Sequence, residues 1–350
     1  MLIVALKLFV VKSECTELRC GSKGFIPGGV LVVFASAYKV VTTKKQYPLN
    51  EQCSVGLGKK NLTKPRQIKA EPPIGKSKAV HNIWQVDAKE NITTLDGKPA
   101  CYLTITDEKS GSWLCALTFE YSRISQVPVE EVRQRLIQYF MRWGKPGAMR
   151  VDNGDPLGHS TKLMTPPLAL WLISIDIDMI WNKPHCPQQN GVVENMQGTS
   201  SRWIELDKIR DLNHLQVRLD QESFLQREKL PVKRLNRKTR IEVFPELETS
   251  RRIYQPDDFD EQRVYNFLSK KVYTRKVSSG GTISHYGHVF SVGVKFKQQY
   301  VQLKFDDQTV EWIIYDNQKE IKRKKAHHLA KETILNLTVC QRTTKTFMSD

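Results

Sequence analysis

Three acidic residues stand where a strand ends or a helix begins. Asp87 lies in an apolar stretch that starts at Trp84, Asp152 precedes an Asn-Gly turn, and Glu194 follows a second Asn-Gly turn. The spacing is 65 residues from 87 to 152 and 42 residues from 152 to 194. Carboxylate oxygens are the ligands that hard divalent cations such as Mg²⁺ prefer. If the fold brings these residues together, they favour metal-dependent chemistry.

Each carboxylate also has a structural interpretation when it is taken alone. An Asp before Asn-Gly commonly forms the turn, and a Glu in the first turn of a helix complements the helix dipole. Asp87 differs from the other two, because a charge among apolar strand residues is costly to bury unless a cation or another partner compensates it. Asp87 therefore gives the strongest single argument for a charged partner.

The segments around these residues predict the elements that position them. Short apolar or period-two runs predict strands over Asn82–Ala88, Ala100–Asp107, Ser112–Phe119, the residues before Asp152, and Ile175–Trp181. Helical spacing and helix-terminating residues predict helices over Pro128–Trp143, around Pro167–Ser174, and from near Glu194 onward. Strands come first, and helices and strands then alternate, which indicates an α/β core.

This pattern resembles the retroviral integrases and the DDE transposases of bacterial insertion sequences. The resemblance rests on the residues from Trp84 to Asp87, on those from Val151 to Gly154, and most specifically on Pro187-Gln188-Gln189-Asn190-Gly191-Val192-Val193-Glu194-Asn195. It covers about residues 80–205 well and the chain to about 325 more loosely. Many members of these families have Lys or Arg seven residues after the Glu, where this chain has Ser201 followed by Arg202.

The resemblance implies an RNase H-like core, built as a mixed five-stranded sheet with helices, followed by a helical segment and a small β-barrel. It assigns Asp87, Asp152 and Glu194 as catalytic and metal-binding residues, with Mg²⁺ as cofactor and Mn²⁺ as an alternative. In a two-metal site, ions roughly 3.5–4 Å apart stabilise the attacking and leaving oxygens of a displacement at phosphorus. The expected activity is DNA strand cleavage and strand transfer during integration or transposition of a mobile element.

Composition agrees with a nucleic-acid partner. The 350 residues have room for two or three domains, and 54 Lys and Arg against 37 Asp and Glu give a net charge of +17. Such a surplus attracts polyanions, although a basic surface can also serve solubility alone. The expected partners are double-stranded DNA, at element ends and target, and further copies of the chain on that DNA, with no membrane.

Cysteine usage favours a reducing compartment. The seven cysteines are scattered and form no regular framework, which is typical of reduced thiols in a cytoplasmic protein. The resemblance to transposases of bacterial insertion sequences implies a bacterial, nucleoid-associated protein. The first histidine is His81, so the paired His and Cys of a retroviral zinc module are not found before it. Residues 1–12 are apolar but too short to span a bilayer.

Composition shifts predict five segments. They are an atypical N-terminal segment and basic linker (1–79), the catalytic core (80–205), a basic helical connector (206–262), a small DNA-binding β-barrel (263–326) and a tail (327–350). A basic cluster runs from Arg227 to Arg240. The expected DNA-binding residues are Arg202, Lys233, Arg234, Arg237, Lys238, Arg240, Lys322, Arg323, Lys324 and Lys325. A solvated helix face is the simpler interpretation of the connector charges.

Two other functions fit parts of the same sequence. One is a DNA-binding remnant of a transposase that keeps the core and the barrel but has impaired activity, which the atypical N-terminal segment allows. The other is an RNase H-like nuclease that acts on RNA–DNA hybrids, which leaves the basic linker and the barrel unexplained. Cleavage of hybrid against DNA substrates separates the nuclease from the integrase hypothesis.

Overall fold

A mixed five-stranded sheet forms the centre of the first half of the described chain. The computed structural model describes residues 77–152, 154–158, 164–182, 191–249 and 251–340. The strands are β1 (Ile83–Thr93), β2 (Pro99–Asp107), β3 (Trp113–Phe119), β4 (Ala148–Val151) and β5 (Asp178–Trp181). Their order is β3-β2-β1-β4-β5, with the first three antiparallel and β4 and β5 parallel to β1. The predicted RNase H-like sheet is thereby confirmed.

Several sequence predictions fall on residues outside the described ranges. They concern the N-terminal segment and linker up to residue 76, the turn at 183–190 and the end of the tail at 341–350. The described residues belong to one unit of the chain, Ala70–Asp350.

Helices cover both faces of this sheet. Helices α1 (Val129–Trp143) and α2 (Pro167–Ser174) lie on one face, where Trp84 and Val86 share a core with Phe140 and Trp171. Helices α3 (Gly191–Ile204) and α4 (Leu212–Phe224) lie on the other face. Successive strand residues point to opposite faces of the sheet. Both faces of β2 and β3 are buried, and these strands are therefore mostly apolar rather than alternating.

Helix α1 ends at a glycine that the packing requires. Its buried residues Val132, Leu136, Phe140 and Trp143 recur at helical spacing. Gly144 then adopts φ +79°, and an added Cβ there would lie 2.8 Å from the backbone nitrogen of Arg252. A larger residue at this position is therefore excluded by both conformation and space.

The predicted strand over Ile175–Trp181 is shorter in the structure. Strand β5 begins only at Asp178, because Asp176 has φ +67° and the residues after α2 form a turn. Asp176 also pairs with the guanidinium groups of Arg252 and Arg263. The period-two pattern predicts the strand correctly but not where the turn before it ends.

A second region of strands follows the helical connector. Short helices α5 (Arg240–Val243) and α6 (Glu246–Thr249) precede helix α7 (Glu261–Ser269), and helix α8 (Lys331–Leu335) closes the described chain. The strands are β6 (Val272–Lys276), β7 (Thr282–His285), β8 (His288–Ser291), β9 (Tyr300–Asp306), β10 (Glu311–Asp316) and β11 (Lys319–Lys325).

These strands pair in two sheets rather than in one closed barrel. One sheet has the order β11-β10-β9-β6, and β7 pairs with β8 in a separate hairpin. Trp312, Tyr273 and Leu303 are buried between them, together with Leu170 of α2. All six strands lie in the segment predicted to form a small β-barrel, but their pairing leaves β6 and β11 as sheet edges. No helix in the described ranges combines the length and apolarity that crossing a membrane requires.

Candidate active site

The parallel pairing of β1 with β4 brings two of the predicted carboxylates level with each other. Gln85 on β1 is opposite Arg150 on β4. Two residues further along the chain lie Asp87, within β1, and Asp152, directly after β4. The register of the two strands therefore places these residues at the same level. Asp87 is half-buried within β1, whereas Asp152 is exposed directly after the last residue of β4.

Both residues line one cleft with a volume of about 360 Å³. Among its described lining residues are four acids, Asp87, Glu90, Asp152 and Asp155, and one Arg, Arg123. An acidic surplus within one concave surface attracts cations. The cleft thus joins Asp87 and Asp152 in an environment suited to a positive ligand.

Backbone donors orient the two carboxylates. The Asp152 Oδ1 atom accepts the N–H of Gly154 at 3.0 Å, and Asp87 Oδ1 accepts the N–H of Ala88 at 2.9 Å. Gly154 lies so close that an added Cβ would be 3.2 Å from Asp152 Oδ1. The glycine of the Asn-Gly turn therefore lets the chain fold back against its own carboxylate.

The structure places the backbone of the third predicted residue beside the same strand. Helix α3 begins at Gly191, so Glu194 is in its first turn; the side chain of Glu194 lies outside the described atoms. The neighbouring Val193 N–H donates to the Gln85 Oε1 at 3.2 Å in a buried contact. Gln85 is two residues before Asp87, and this hydrogen bond fixes the start of α3 on β1.

The donor set fits a hard divalent cation in type. Carboxylate oxygens within β1 and directly after the adjacent strand β4 match the preference of Mg²⁺ for oxygen ligands. Among the side chains that the structure describes, no group of three or more His, Cys, Asp or Glu is placed to hold a metal ion. The described part of the site therefore consists of Asp87 and Asp152, with the backbone of Glu194 nearby.

Three polar side chains behind these residues are not predicted from the sequence. Glu108 Oε2 accepts from Gln85 Nε2 at 2.9 Å and from Arg150 Nε at 3.0 Å, and all three side chains are buried or nearly so. The available signal was a polar residue two positions before each Asp, on strands that are otherwise apolar. Arg123 was also missed; the turn that carries it is tied to β1 by the Ile124 N–H, which donates to Glu90 Oε1 at 2.9 Å.

The connector residues predicted to bind DNA fall into two kinds. Arg234 Nη2 donates to the Ser110 carbonyl at 2.7 Å, and Arg240 donates to the carbonyls of Gly111 and Gln226, each at 2.9 Å. Burial, with a smaller effect of the Arg234 charge, lowers the pKa of Arg240 to about 10. These two guanidinium groups therefore hold the β2–β3 turn against the connector.

The other three connector residues that were predicted to bind DNA are exposed. Lys233, Arg237 and Lys238 lie on the surface, close together in the chain around a turn where Asn236 and Arg237 both have positive φ. Arg202 is also exposed, near the end of α3, where its Nε donates to the Gly198 carbonyl at 3.2 Å. These four side chains are therefore accessible at the surface.

Four predicted basic residues follow one another on the edge strand β11: Lys322, Arg323, Lys324 and Lys325. Arg323 pairs with Glu320 at 2.8 Å and Asp306 at 3.1 Å, and Lys325 pairs with Glu311 at 3.4 Å. Part of the positive charge of this strand is therefore balanced by acids of the same sheet.

The solved structures that match this chain include integrases. No family model matches the chain. The HTLV-2 integrase catalytic core domain, solved in complex with magnesium, has 17% identity and a TM-score of 0.35 over 48% of this chain and 99% of its own. The simian T-cell lymphotropic virus intasome has 15% identity and a TM-score of 0.38 over 71% and 77%. The BIV integrase catalytic core has 17% identity and a TM-score of 0.33 over 49% and 97%. With identities this low, a residue role in one of these proteins does not carry over to this chain.

Proposed function

We propose that the chain is a polynucleotidyl transferase of the DDE type, which cleaves DNA strands and transfers them to new sites in the presence of a divalent cation. The observation that carries this proposal is the parallel register of β1 and β4, which puts Asp87 and Asp152 at one level on one acidic cleft. A mixed sheet with one carboxylate within a central strand and another directly after the neighbouring strand is suited to metal-assisted reactions at a phosphodiester.

Asp87, Asp152 and Glu194 would hold the metal ions, for which Mg²⁺ is the expected species and Mn²⁺ the alternative. When bound, the ions supply charge that stabilises the attacking and leaving oxygens at phosphorus. The chain itself orients the ligands: the Gly154 N–H holds the Asp152 carboxylate, and the Val193 N–H holds the first turn of α3 on β1.

The proposed substrate is double-stranded DNA. Exposed cations of the connector, namely Lys233, Arg237 and Lys238, would contact phosphates and position the duplex without reading its sequence. We also propose the five segments described above as the domain organisation, with residues 80–205 as the catalytic part. Assembly of several copies on DNA belongs to the same proposal.

The test compares Asp152→Asn with Asp178→Asn. Both changes replace an exposed Asp by a near-isosteric amide, but Asp178 begins β5 opposite Ala148, at the far end of β4 from Asp152. Strand transfer of a labelled duplex into a supercoiled plasmid is measured in Mg²⁺ and in Mn²⁺. Asp152→Asn should reduce transfer to background, and Asp178→Asn should leave it at the level of the unsubstituted protein. Equal transfer by all three proteins would remove Asp152 from the reaction and with it the proposal.

Two other outcomes would identify the alternatives. Metal-dependent cleavage of RNA–DNA hybrids, with no nicking of duplex DNA, would indicate a nuclease of the RNase H type. DNA binding without nicking or transfer in either metal would indicate a remnant that keeps only the binding function.

A further inference from the structure

A buried polar cluster lies directly behind the candidate active site and joins three of its elements. At its centre Glu108, directly after the end of β2, accepts hydrogen bonds from Gln85 of β1 and Arg150 of β4 on the same Oε2 atom. The Glu108 Oε1 accepts the Ser77 N–H at 3.0 Å, and the Glu108 N–H donates to the Ile83 carbonyl. Glu108 is therefore held from several sides.

Gln85 extends this cluster to helix α3. Its Nε2 donates to Glu108, and its Oε1 accepts the Val193 N–H at 3.2 Å. The N–H groups of a first helical turn have no partner within the helix, so a side-chain acceptor there fixes where the helix starts. One amide group thus links β1 both to the ion pair and to α3.

Three residues of this cluster lie within two positions of a proposed metal ligand in the chain. Gln85 precedes Asp87 by two residues, and Arg150 precedes Asp152 by two, so each pair shares a face of its strand. Val193, which Gln85 holds, directly precedes Glu194. The same hydrogen-bond group therefore controls the relative positions of the three elements that carry the carboxylates.

We infer that Gln85, Glu108 and Arg150 form a positioning network that sets, for a divalent cation, the geometry of the Asp87 and Asp152 carboxylates and the position of the first turn of α3. This inference rests on the proposed function. Mg²⁺ needs near-ideal octahedral geometry, so small shifts between its ligands weaken its binding and the chemistry that depends on it. Groups that orient metal ligands typically change metal affinity or activity by about 10- to 100-fold when they are removed.

A positioning role differs from a stabilising role in a measurable way. A variant that only lowers stability reduces the folded fraction, so its Mg²⁺-supported and Mn²⁺-supported activities fall in the same proportion. A variant with misplaced ligands loses more activity with the ion whose coordination is more demanding. Metal binding by the folded protein, measured without DNA, gives a second readout that does not depend on turnover.

The experiment compares Gln85→Met with Gln226→Met. Gln226 is an equally buried glutamine whose Oε1 accepts the Trp113 N–H at 3.0 Å and whose Nε2 donates to the Gly111 carbonyl at 2.9 Å. It bridges two groups as Gln85 does, but both of these groups lie outside β1, β4 and α3. Strand transfer is measured in each metal, and Mn²⁺ binding is followed by loss of the free-ion electron paramagnetic resonance signal.

Gln85→Met is expected to lower Mg²⁺-supported transfer by about 10- to 100-fold, to lower Mn²⁺-supported transfer less, and to weaken Mn²⁺ binding. Gln226→Met should keep the ratio of the two activities and the Mn²⁺ affinity. If Gln85→Met changes neither quantity more than Gln226→Met does, the network is structural and the inference is wrong. If Gln85→Met does not fold, Arg150→Lys provides the same comparison, because it keeps the charge beside Glu108 but loses the fixed direction of the guanidinium.

The result also separates this inference from the proposed function. Unsubstituted protein that shows no nicking or transfer, combined with Mn²⁺ binding that Gln85→Met weakens, would overturn the function and keep the network. Active unsubstituted protein, combined with unchanged metal dependence in both Gln85→Met and Arg150→Lys, would keep the function and overturn the network.

Discussion

Two buried histidines, one in each half of the described chain, each accept a hydrogen bond from a tryptophan but have different charges around them. In the core, His81 Nδ1 accepts from Trp84 Nε1 at 3.1 Å; in the second region, His328 Nε2 accepts from Trp312 Nε1 at 3.2 Å. Burial lowers the pKa of both. The Leu247 carbonyl and the Asp107 charge counteract that effect at His81, whereas the charges of neighbouring histidines add to it and lower the pKa of His328 to about 3.

The difference shows how the two regions handle polar groups. The core buries charges and pairs them: Asp107 accepts from the His81 and Ser110 N–H groups, and Glu108 is paired with Arg150. The second region keeps its centre neutral and aromatic, and its charges lie on the outside, notably on β11. Fixed internal charges suit a site that must hold ligands in place, and an outer layer of charge suits contact with a polyanion.

The largest expected effect comes from breaking a charge pair inside the core. Glu108→Gln keeps the size of the side chain but removes the charge that pairs with the buried guanidinium of Arg150, which should cost about 3–5 kcal/mol of unfolding free energy. Glu248→Gln is the control, because it breaks the Arg142–Glu248 pair at 3.0 Å, whose side chains are 49% and 37% exposed. An exposed pair contributes about 0–1 kcal/mol.

Urea unfolding of metal-free protein measures both variants against the unsubstituted chain. The comparison between regions holds if Glu108→Gln is the more destabilising by at least about 2 kcal/mol. Equal losses would mean that water reaches the Glu108–Arg150 pair, and that the core does not hold its charges more firmly than the surface does.

The second effect concerns pH and belongs to the β region. Because the pKa of His328 is lowered to about 3 by burial and by His288 and His327, the unfolded chain binds its proton first as the pH falls below about 6.5. Stability is therefore full above that pH and declines toward pH 3, with a slope of up to about 1.4 kcal/mol per pH unit for one histidine.

His328→Gln should remove one proton's share of that slope while the amide oxygen still accepts from Trp312. The exposed neighbour His327 gives the comparison, since His327→Gln removes only one of the smaller causes that lower the pKa of His328 and should therefore change the slope less than His328→Gln does. Unfolding free energies from pH 7.5 to 4.5 test the pair. A slope that His328→Gln does not reduce would show that this histidine is not kept neutral in the folded protein.

A smaller effect is expected from the outer charges on DNA binding. The triple change of Lys233, Arg237 and Lys238 to Gln should flatten the dependence of log K on log salt by up to about 0.9 for each lost phosphate contact. Arg323→Gln with Lys325→Gln should flatten it less per residue, because these cations are already paired with acids. Fluorescence anisotropy with a duplex at several salt concentrations measures the slopes. Unchanged slopes for the triple variant would identify the connector charges as a solvated face.

The sequence predicts the strands of the core well, for a local reason. Alternating apolar residues define each strand, and a proline, a glycine or an Asn-Gly pair marks where it stops, so the end of β4 at Asp152 is readable from neighbouring residues. The same local signals predict α1 to within one residue of its observed start at Val129.

The parts that are not predictable depend on contacts between distant residues. Arg227 belongs to a basic cluster in the sequence, yet it is buried, with its Nη1 atom donating to the Trp113 carbonyl and its guanidinium 4.7 Å from the ring centre of Trp143. Arg234 contacts Ser110 across 124 positions of the chain. The charge pattern of a sequence does not show which cations are buried in the folded protein. The network around Glu108 is not predictable for the same reason, because its members are distant in the chain.

The smallest expected effect tests how finely the core fixes its ligands. In Gly154→Ala the new Cβ would lie 3.2 Å from Asp152 Oδ1, so the carboxylate must move by a few tenths of an ångström. Transfer in Mg²⁺ should fall by less than tenfold, which corresponds to less than about 1.4 kcal/mol in the barrier, and DNA binding should not change. Gly198→Ala is the control, since among the described residues nothing beyond its chain neighbours and its own helix backbone lies within 4 Å of its Cβ position, and alanine should stabilise α3 slightly. Titration with Mg²⁺ should show a higher concentration for half-maximal transfer in Gly154→Ala alone. A loss as complete as that of Asp152→Asn would mean that the turn itself, and not only the carboxylate, contacts the reacting groups.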